Sequence, residues 1–162
     1  MILLALIALT ATAASAGEHR IGGGANYWVS VDDIEVGDNK LDDDGIAFFG
    51  SYQYWPGLLG LEVDLEFLPD RFGESAVSPQ AYLLVGKGVY AGVGIGTTYT
   101  DGDLVDEPFF ALKAGFNLEI LPGIYADIYG NYRFNDTAAF DNEESDIDTD
   151  TVFLGVAVRV AL

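Results

Sequence analysis

Leu59-Gly60-Leu61-Glu62-Val63-Asp64-Leu65-Glu66-Phe67 is apolar at every odd position and glycine or acidic at every even one. Side chains on a β-strand point to opposite faces with a period of two, so this segment has one continuous apolar face and one charged face. Val152-Phe153-Leu154-Gly155-Val156-Ala157-Val158-Arg159-Val160-Ala161-Leu162 carries only Val or Leu at its even positions. Looser versions of the pattern recur along the chain and predict eight strands, at 20–31, 45–55, 58–68, 78–87, 89–99, 108–120, 124–134 and 151–162. A water-soluble sheet would hide the apolar face against a second layer, whereas a membrane barrel would turn it outward.

The connections fall into two kinds that alternate along the chain. Trp55-Pro56-Gly57-Leu58, Gly86-Lys87-Gly88 and Leu121-Pro122-Gly123 read as tight turns, with Pro and Gly supplying the fixed and the positive backbone angles. Longer loops are expected at 32–44, 69–77, 100–107 and 135–150. Of the 26 acidic residues, all but Glu18, Glu62, Asp64, Glu66, Glu119 and Asp127 fall in those four loops. Short turns on one side and long loops on the other are the layout of an outer-membrane barrel.

The apolar faces run Ile21 to Val29, Ile46 to Tyr54, Leu59 to Phe67, Ala81 to Val85, Val89 to Ile95, Phe110 to Ile120, Ile124 to Tyr132 and Val152 to Leu162 at alternate positions. No charge interrupts them except Lys87 at a turn, where it can snorkel. A lipid-facing Arg or Lys at mid-membrane costs about 2–4 kcal/mol, so that clean face is informative. Tyr27, Phe48, Phe67, Tyr99, Phe110, Tyr132 and Phe134 gather near the long-loop ends, as an interfacial aromatic girdle would. The opposite faces bring Arg20, Glu62, Asp64, Glu66, Lys113, Glu119, Asp127, Arg133 and Arg159 into one interior. Eight strands enclose only enough room for side chains. These ions are therefore expected to pair in a stack: Arg20 and Arg159 with Glu62, Glu119 and Asp127; Lys113 with Asp64; and Arg133 with Glu66 or a loop carboxylate. Glycines 92, 94 and 96 are expected to make room for the longer ions.

Residues 2 to 14 are an apolar run followed by Ala14-Ser15-Ala16, the pattern of a cleaved export signal. Residues 1–16 are thus expected to be a signal peptide and 17–162 the barrel domain. The run falls short of the about 20 apolar residues a spanning helix needs. The formal charge of -19, with only seven Lys and Arg, argues against nucleic-acid binding. The chain has no cysteine.

The whole 17–162 pattern resembles the small eight-stranded outer-membrane barrels of OmpA/OmpX type. The resemblance implies a closed eight-stranded antiparallel up-and-down transmembrane β-barrel in the outer membrane of a diderm bacterium, termini inward and long loops outward. One departure is Leu162, where that group usually ends in an aromatic residue. Enzymes on such barrels use a histidine base, but the single histidine, His19, is at the other end from the expected long-loop rim. It reads as a solvated terminal residue, and no catalytic centre or cofactor is expected. Asp38 to Gly45 has acidic spacing near that of a calcium loop, but Lys40 stands where the first Asp belongs. Weak divalent-cation binding by the clustered carboxylates remains an expectation. The leading reading is a monomeric structural or interaction protein with a plugged lumen and outer-membrane lipid as its surroundings. The alternatives are a soluble periplasmic lipocalin-like carrier, which would put the apolar faces inside, and a small gated channel.

Overall fold

Alternation and turn chemistry produce a ring of strands with no free edge. The computed structural model describes residues 17–31, 35–36, 39–40, 44–71, 74–100, 103–104, 108–138 and 147–162. The barrel strands are β1 (Glu18–Ser30), β2 (Asp44–Trp55), β3 (Leu59–Arg71), β4 (Glu74–Lys87), β5 (Val89–Gly96), β6 (Phe109–Leu121), β7 (Ile124–Ala138) and β8 (Ile147–Ala161). Each pairs antiparallel with its sequence neighbours, and β1 pairs with β8 from Arg20↔Ala161 to Ser30↔Thr151. The result is the expected closed eight-stranded antiparallel up-and-down barrel. Closure leaves no row of unpaired N–H and C=O groups.

Two of the three tight turns use glycine as expected, with φ of 86° at Gly88 and 74° at Gly123. Gly57 is not in that region, so the turn after Trp55 is shaped without a left-handed glycine. The long-loop side differs more. β3 and β4 run on until Arg71 faces Glu74, so most of the expected loop at 69–77 is ladder instead. β5 stops at Gly96 rather than 99, and Tyr99–Thr100 pairs with Val77 and Ala76 of β4. β7 and β8 likewise extend into the 135–150 region through an irregularity between Arg133 and Asp136. The predicted leader at 1–16 lies outside the described residues, as do Asp32, Asp33, Asp38, Asp42, Asp43, Asp141, Glu143, Glu144 and Asp146.

The outside is apolar all round. Leu61, Val63 and Leu65 are 53%, 50% and 58% exposed, and the even positions 154 to 160 of β8 are equally open. A carrier with its apolar faces inside is therefore excluded by the fold. The inside is not only polar, however. Phe49, Trp55, Tyr82, Leu84, Tyr90, Phe109 and Tyr129 form one buried cluster, and Trp28, Ala47, Leu68, Ala76 and Phe153 a second.

Glycine makes that possible. A Cβ at Gly94 would sit 2.3 Å from the Tyr82 ring, one at Gly96 2.4 Å from Phe109, and one at Gly60 2.6 Å from Trp55. At Gly92 it would meet Leu84 at 2.5 Å. The β5 glycines thus make room for two rings and a leucine, not for the ions expected there. Gly155 shows the same fit: its Cβ would lie 2.2 Å from both Tyr129 Cζ and Asn26 Oδ1. Gly155→Leu is expected to lower the stability of the refolded barrel by about 1–3 kcal/mol through overpacking. Gly130→Ala, where a Cβ would meet nothing within 4 Å, is expected to stay within about 1 kcal/mol of the parent. Urea unfolding midpoints of the two variants check the contrast.

Candidate functional site in the charged lumen

Glu62, Asp64 and Glu66 occupy consecutive inward positions of β3, so period two stacks three carboxylates along one wall. Register sets their neighbours: Glu62 lies opposite Gln53 on β2 and Tyr82 on β4, and Asp64 opposite Ser51 and Gln80. The cations come from strands across the lumen, Lys113 on β6, Arg133 on β7 and Arg159 on β8. All six side chains are buried.

Contacts sort into three levels. Nearest the long-loop side, Arg133 Nη2 donates to Glu66 Oε2 at 2.6 Å and to Gln80 Oε1 at 3.2 Å. Glu66 also accepts from Asn26 Nδ2 at 2.6 Å and Gln80 Nε2 at 3.0 Å. The Arg133 guanidinium lies 3.6 Å from the Phe153 ring centroid and 4.8 Å from that of Phe109. Aromatic faces carry negative charge density and hold a desolvated cation.

At mid-height, Lys113 Nζ pairs with Glu62 and, at 3.3 Å, with Asp64 Oδ2. It lies 4.0 Å from the Tyr129 ring centroid. Glu62 also accepts from Gln53 Nε2 and from Arg159 Nη2, the latter at 3.4 Å. Arg159 pairs with Asp127 through Nη1 and donates from Nε to Ser51 Oγ at 2.8 Å. Asp127 accepts from the Tyr90 hydroxyl at 2.9 Å. Two cations and three carboxylates thus form one continuous cluster.

The short-turn level departs from expectation. Arg20 is buried but joins neither Glu62 nor Asp127. It pairs with Glu18 on its own strand face, donates to Asn117 Oδ1 at 3.0 Å and stacks 3.4 Å from the Tyr125 ring centroid. β1 begins at Glu18, two residues before the predicted start, and a carboxylate at i−2 is closer than any across the lumen. Glu119 is exposed at the rim and accepts from the Gly123 N–H at 2.8 Å. A bulge between Glu119 and Leu121 breaks the register there and carries it away from the stack. With Glu119 out, the buried charged residues are four acids (Glu62, Asp64, Glu66, Asp127) and four bases (Arg20, Lys113, Arg133, Arg159) among the described residues.

His19 is not simply solvated. It is half-buried on the outer face, its Nδ1 hydrogen-bonded with the Tyr52 hydroxyl at 2.6 Å and its ring 4.7 Å from that of Tyr54. Its partners are phenols rather than a serine or a carboxylate. Among the described residues no group of His, Asp and Glu is arranged to hold a metal ion. Trp28, Tyr82 and Tyr129 share the parity of the ions and are inward as expected, whereas inward Phe49, Trp55, Tyr90, Phe109 and Phe153, of the same parity, were not expected there.

No family model and no curated protein matches the chain. Solved structures do. Neisserial surface protein A aligns over 89% of this chain and 96% of its own, with a TM-score of 0.59 at 14% identity. The fold is that of the small outer-membrane barrels. The outer membrane protein OprG of Pseudomonas aeruginosa aligns over 90% of this chain and 96% of its own (TM-score 0.52, 14% identity). The N-terminal barrel domain of OprF from the same organism covers 90% and 97% (TM-score 0.53, 12% identity). At these identities the likeness to the small outer-membrane barrels is one of fold.

Removing one partner of a buried pair leaves an uncompensated charge and costs about 3–5 kcal/mol. Arg159→Met leaves Asp127 without its cation, while Glu62 keeps Lys113, and is expected to fall in that range. Lys87→Met, on an exposed turn residue, is expected within about 0.5 kcal/mol of the parent. Denaturant unfolding of both variants in the same detergent measures the difference.

Proposed function

We propose that the protein is an integral β-barrel of a bacterial outer membrane, with a structural or interaction role and no catalytic centre. One observation carries the reading: the exterior is apolar on all eight strands while the interior holds paired ions. Water would reverse that arrangement, because exposed apolar area on this scale is unfavourable by roughly 25 cal/mol per Å². A bilayer requires it, since only a closed barrel or a helix satisfies its backbone in lipid. Exposed Tyr27, Phe48, Phe67, Tyr99, Phe110 and Phe134 gather towards the long-loop end and suit the level of lipid headgroups.

In this reading residues 1–16 direct export and are removed, the short turns face the periplasm and the acidic loops face outward. The loops contact other molecules or weakly bind divalent cations, and outer-membrane lipid surrounds a monomer. The lumen is a plug: the ion pairs and the two buried aromatic clusters fill the space a channel would need. The likeness in fold to Neisserial surface protein A and OprG supports the outer membrane as the location.

Unboiled protein is expected to migrate differently from boiled protein on a gel and to remain with the outer-membrane fraction. Migration unchanged by heating, with the protein in the soluble fraction, would refute the reading. In planar bilayers the wild-type barrel is expected to give little or no conductance, and large steady openings would defeat the plug. Val156→Arg on the outer face is expected to cost about 2–4 kcal/mol in refolding into vesicles, and much less if that face meets water.

A further inference from the structure

The short-turn mouth of the barrel holds a cavity of about 620 Å³ that the ion stack does not fill. Ligand pockets run to about 300–1,000 Å³ and combine apolar walls with a few convergent polar groups. Trp55 and Tyr90 stand in the wall with their rings edge-on to each other, centroids 6.4 Å apart. Their polar atoms are committed elsewhere: Trp55 Nε1 donates to Gln53 Oε1 at 3.0 Å and the Tyr90 hydroxyl to Asp127. Trp55 is 8% exposed and Tyr90 2%, so the apolar surface they offer the cavity is chiefly that of Trp55.

The remaining hydrogen-bonding groups are unequal. Both oxygens of Glu18 are taken, one by Arg20 and the other by the Tyr125 hydroxyl at 3.1 Å. Glu119 already accepts from Gly123 and sits at the rim. Donors, by contrast, are in excess. Asn117 is buried in the wall, and its Nδ2 has no partner among the described residues. Arg20 commits Nε to Glu18 and Nη1 to Asn117 Oδ1, which leaves Nη2 over among the described residues. Lys87 lines the opening with no ion pair among the described residues. A buried donor without an acceptor is costly, and a ligand that brings acceptors relieves it.

We infer that this mouth cavity binds a small, flat organic carboxylate, its anionic end held by Lys87, Asn117 and Arg20 and its body stacked against Trp55. The acidic loops lie at the opposite end, so their repulsion is screened at this mouth beyond about 8–10 Å. The site is independent of any catalytic role and of the barrel's orientation in a membrane.

The chain has only two tryptophans. Trp55 stands in the cavity wall and Trp28 is fully buried in the other aromatic cluster, so the protein carries its own control. Indole ¹H–¹⁵N shifts of the refolded barrel in micelles are followed during titration with benzoate, with benzyl alcohol as the uncharged counterpart. Benzoate is expected to move Trp55 saturably, with a dissociation constant of about a millimolar for so small a ligand, while Trp28 stays fixed. Benzyl alcohol should not saturate. Lys87→Gln is expected to weaken benzoate about fivefold, the scale of one partly exposed ion pair, and Lys87→Arg to retain binding. The inference is overturned by an absent or linear Trp55 response, by equal saturation with benzyl alcohol, or by Trp28 moving in step. Unchanged affinity in Lys87→Gln also overturns it. Saturation by inorganic phosphate with the same shift would overturn the stacked half, leaving a bare anion site.

Discussion

An eight-stranded ring closes around very little space, and that limit governs which side chains this chain can place on its inner face. Every large inward group needs a small one opposite. Tyr82 lies where Gly94 has no Cβ, Phe109 against Gly96, Trp55 against Gly60 and Tyr129 against Gly155. The rings so admitted also serve the charges, since Tyr129 and Tyr82 flank Lys113 while Phe153 and Phe109 flank Arg133. Glycine, ring and cation form one packing unit, repeated at different heights. The charged residues are thus not merely neutralised by each other; they are positioned by the hydrocarbon between them.

That coupling explains why the stack tolerates three carboxylates from one strand. Placed at alternate residues, Glu62, Asp64 and Glu66 would repel one another along a single wall. Glu62 takes Lys113, Arg159 and Gln53, while Glu66 takes Arg133, Asn26 and Gln80. Asp64 between them shares Lys113. Amides from β1, β2 and β4 fill acceptor sites that a cation alone would leave open, which is what makes a buried ion tolerable.

The alternation at 59–67 and 152–162, repeated more loosely in six further segments between turns, was enough to read strand number and face, because a continuous apolar wall permits no lapse in parity. Pairing across the lumen was legible for Arg133 with Glu66 and for Lys113 with Asp64, where depth along the strand is the only variable. It was not legible for Arg20, whose partner Glu18 lies on the same strand just before the predicted boundary, nor for Glu119, which a bulge takes out of register. Strand ends and bulges are set by local geometry that period two does not encode. Inward Trp28, Tyr82 and Tyr129 were legible by parity, whereas Phe49, Phe109 and Phe153 were not, because a wholly apolar ring at an inward position carries no polar mark of its face.

The last strand lies against the first, and the Leu162 N–H donates to the His19 carbonyl at 2.8 Å. The first and last strands are therefore joined in space although they are as far apart in sequence as this barrel allows. Every other seam joins neighbours in sequence and can form from a local hairpin. This one must wait until β8 has been synthesised, and it bears the largest loop-closure entropy of all. Until it forms, β1 and β8 are both open edges with an apolar side, able to pair with a second copy. The seam is thus the timing element of assembly: the chain has to be kept apart from its own kind from synthesis to the final rung, and only then does the ring become indifferent to its neighbours.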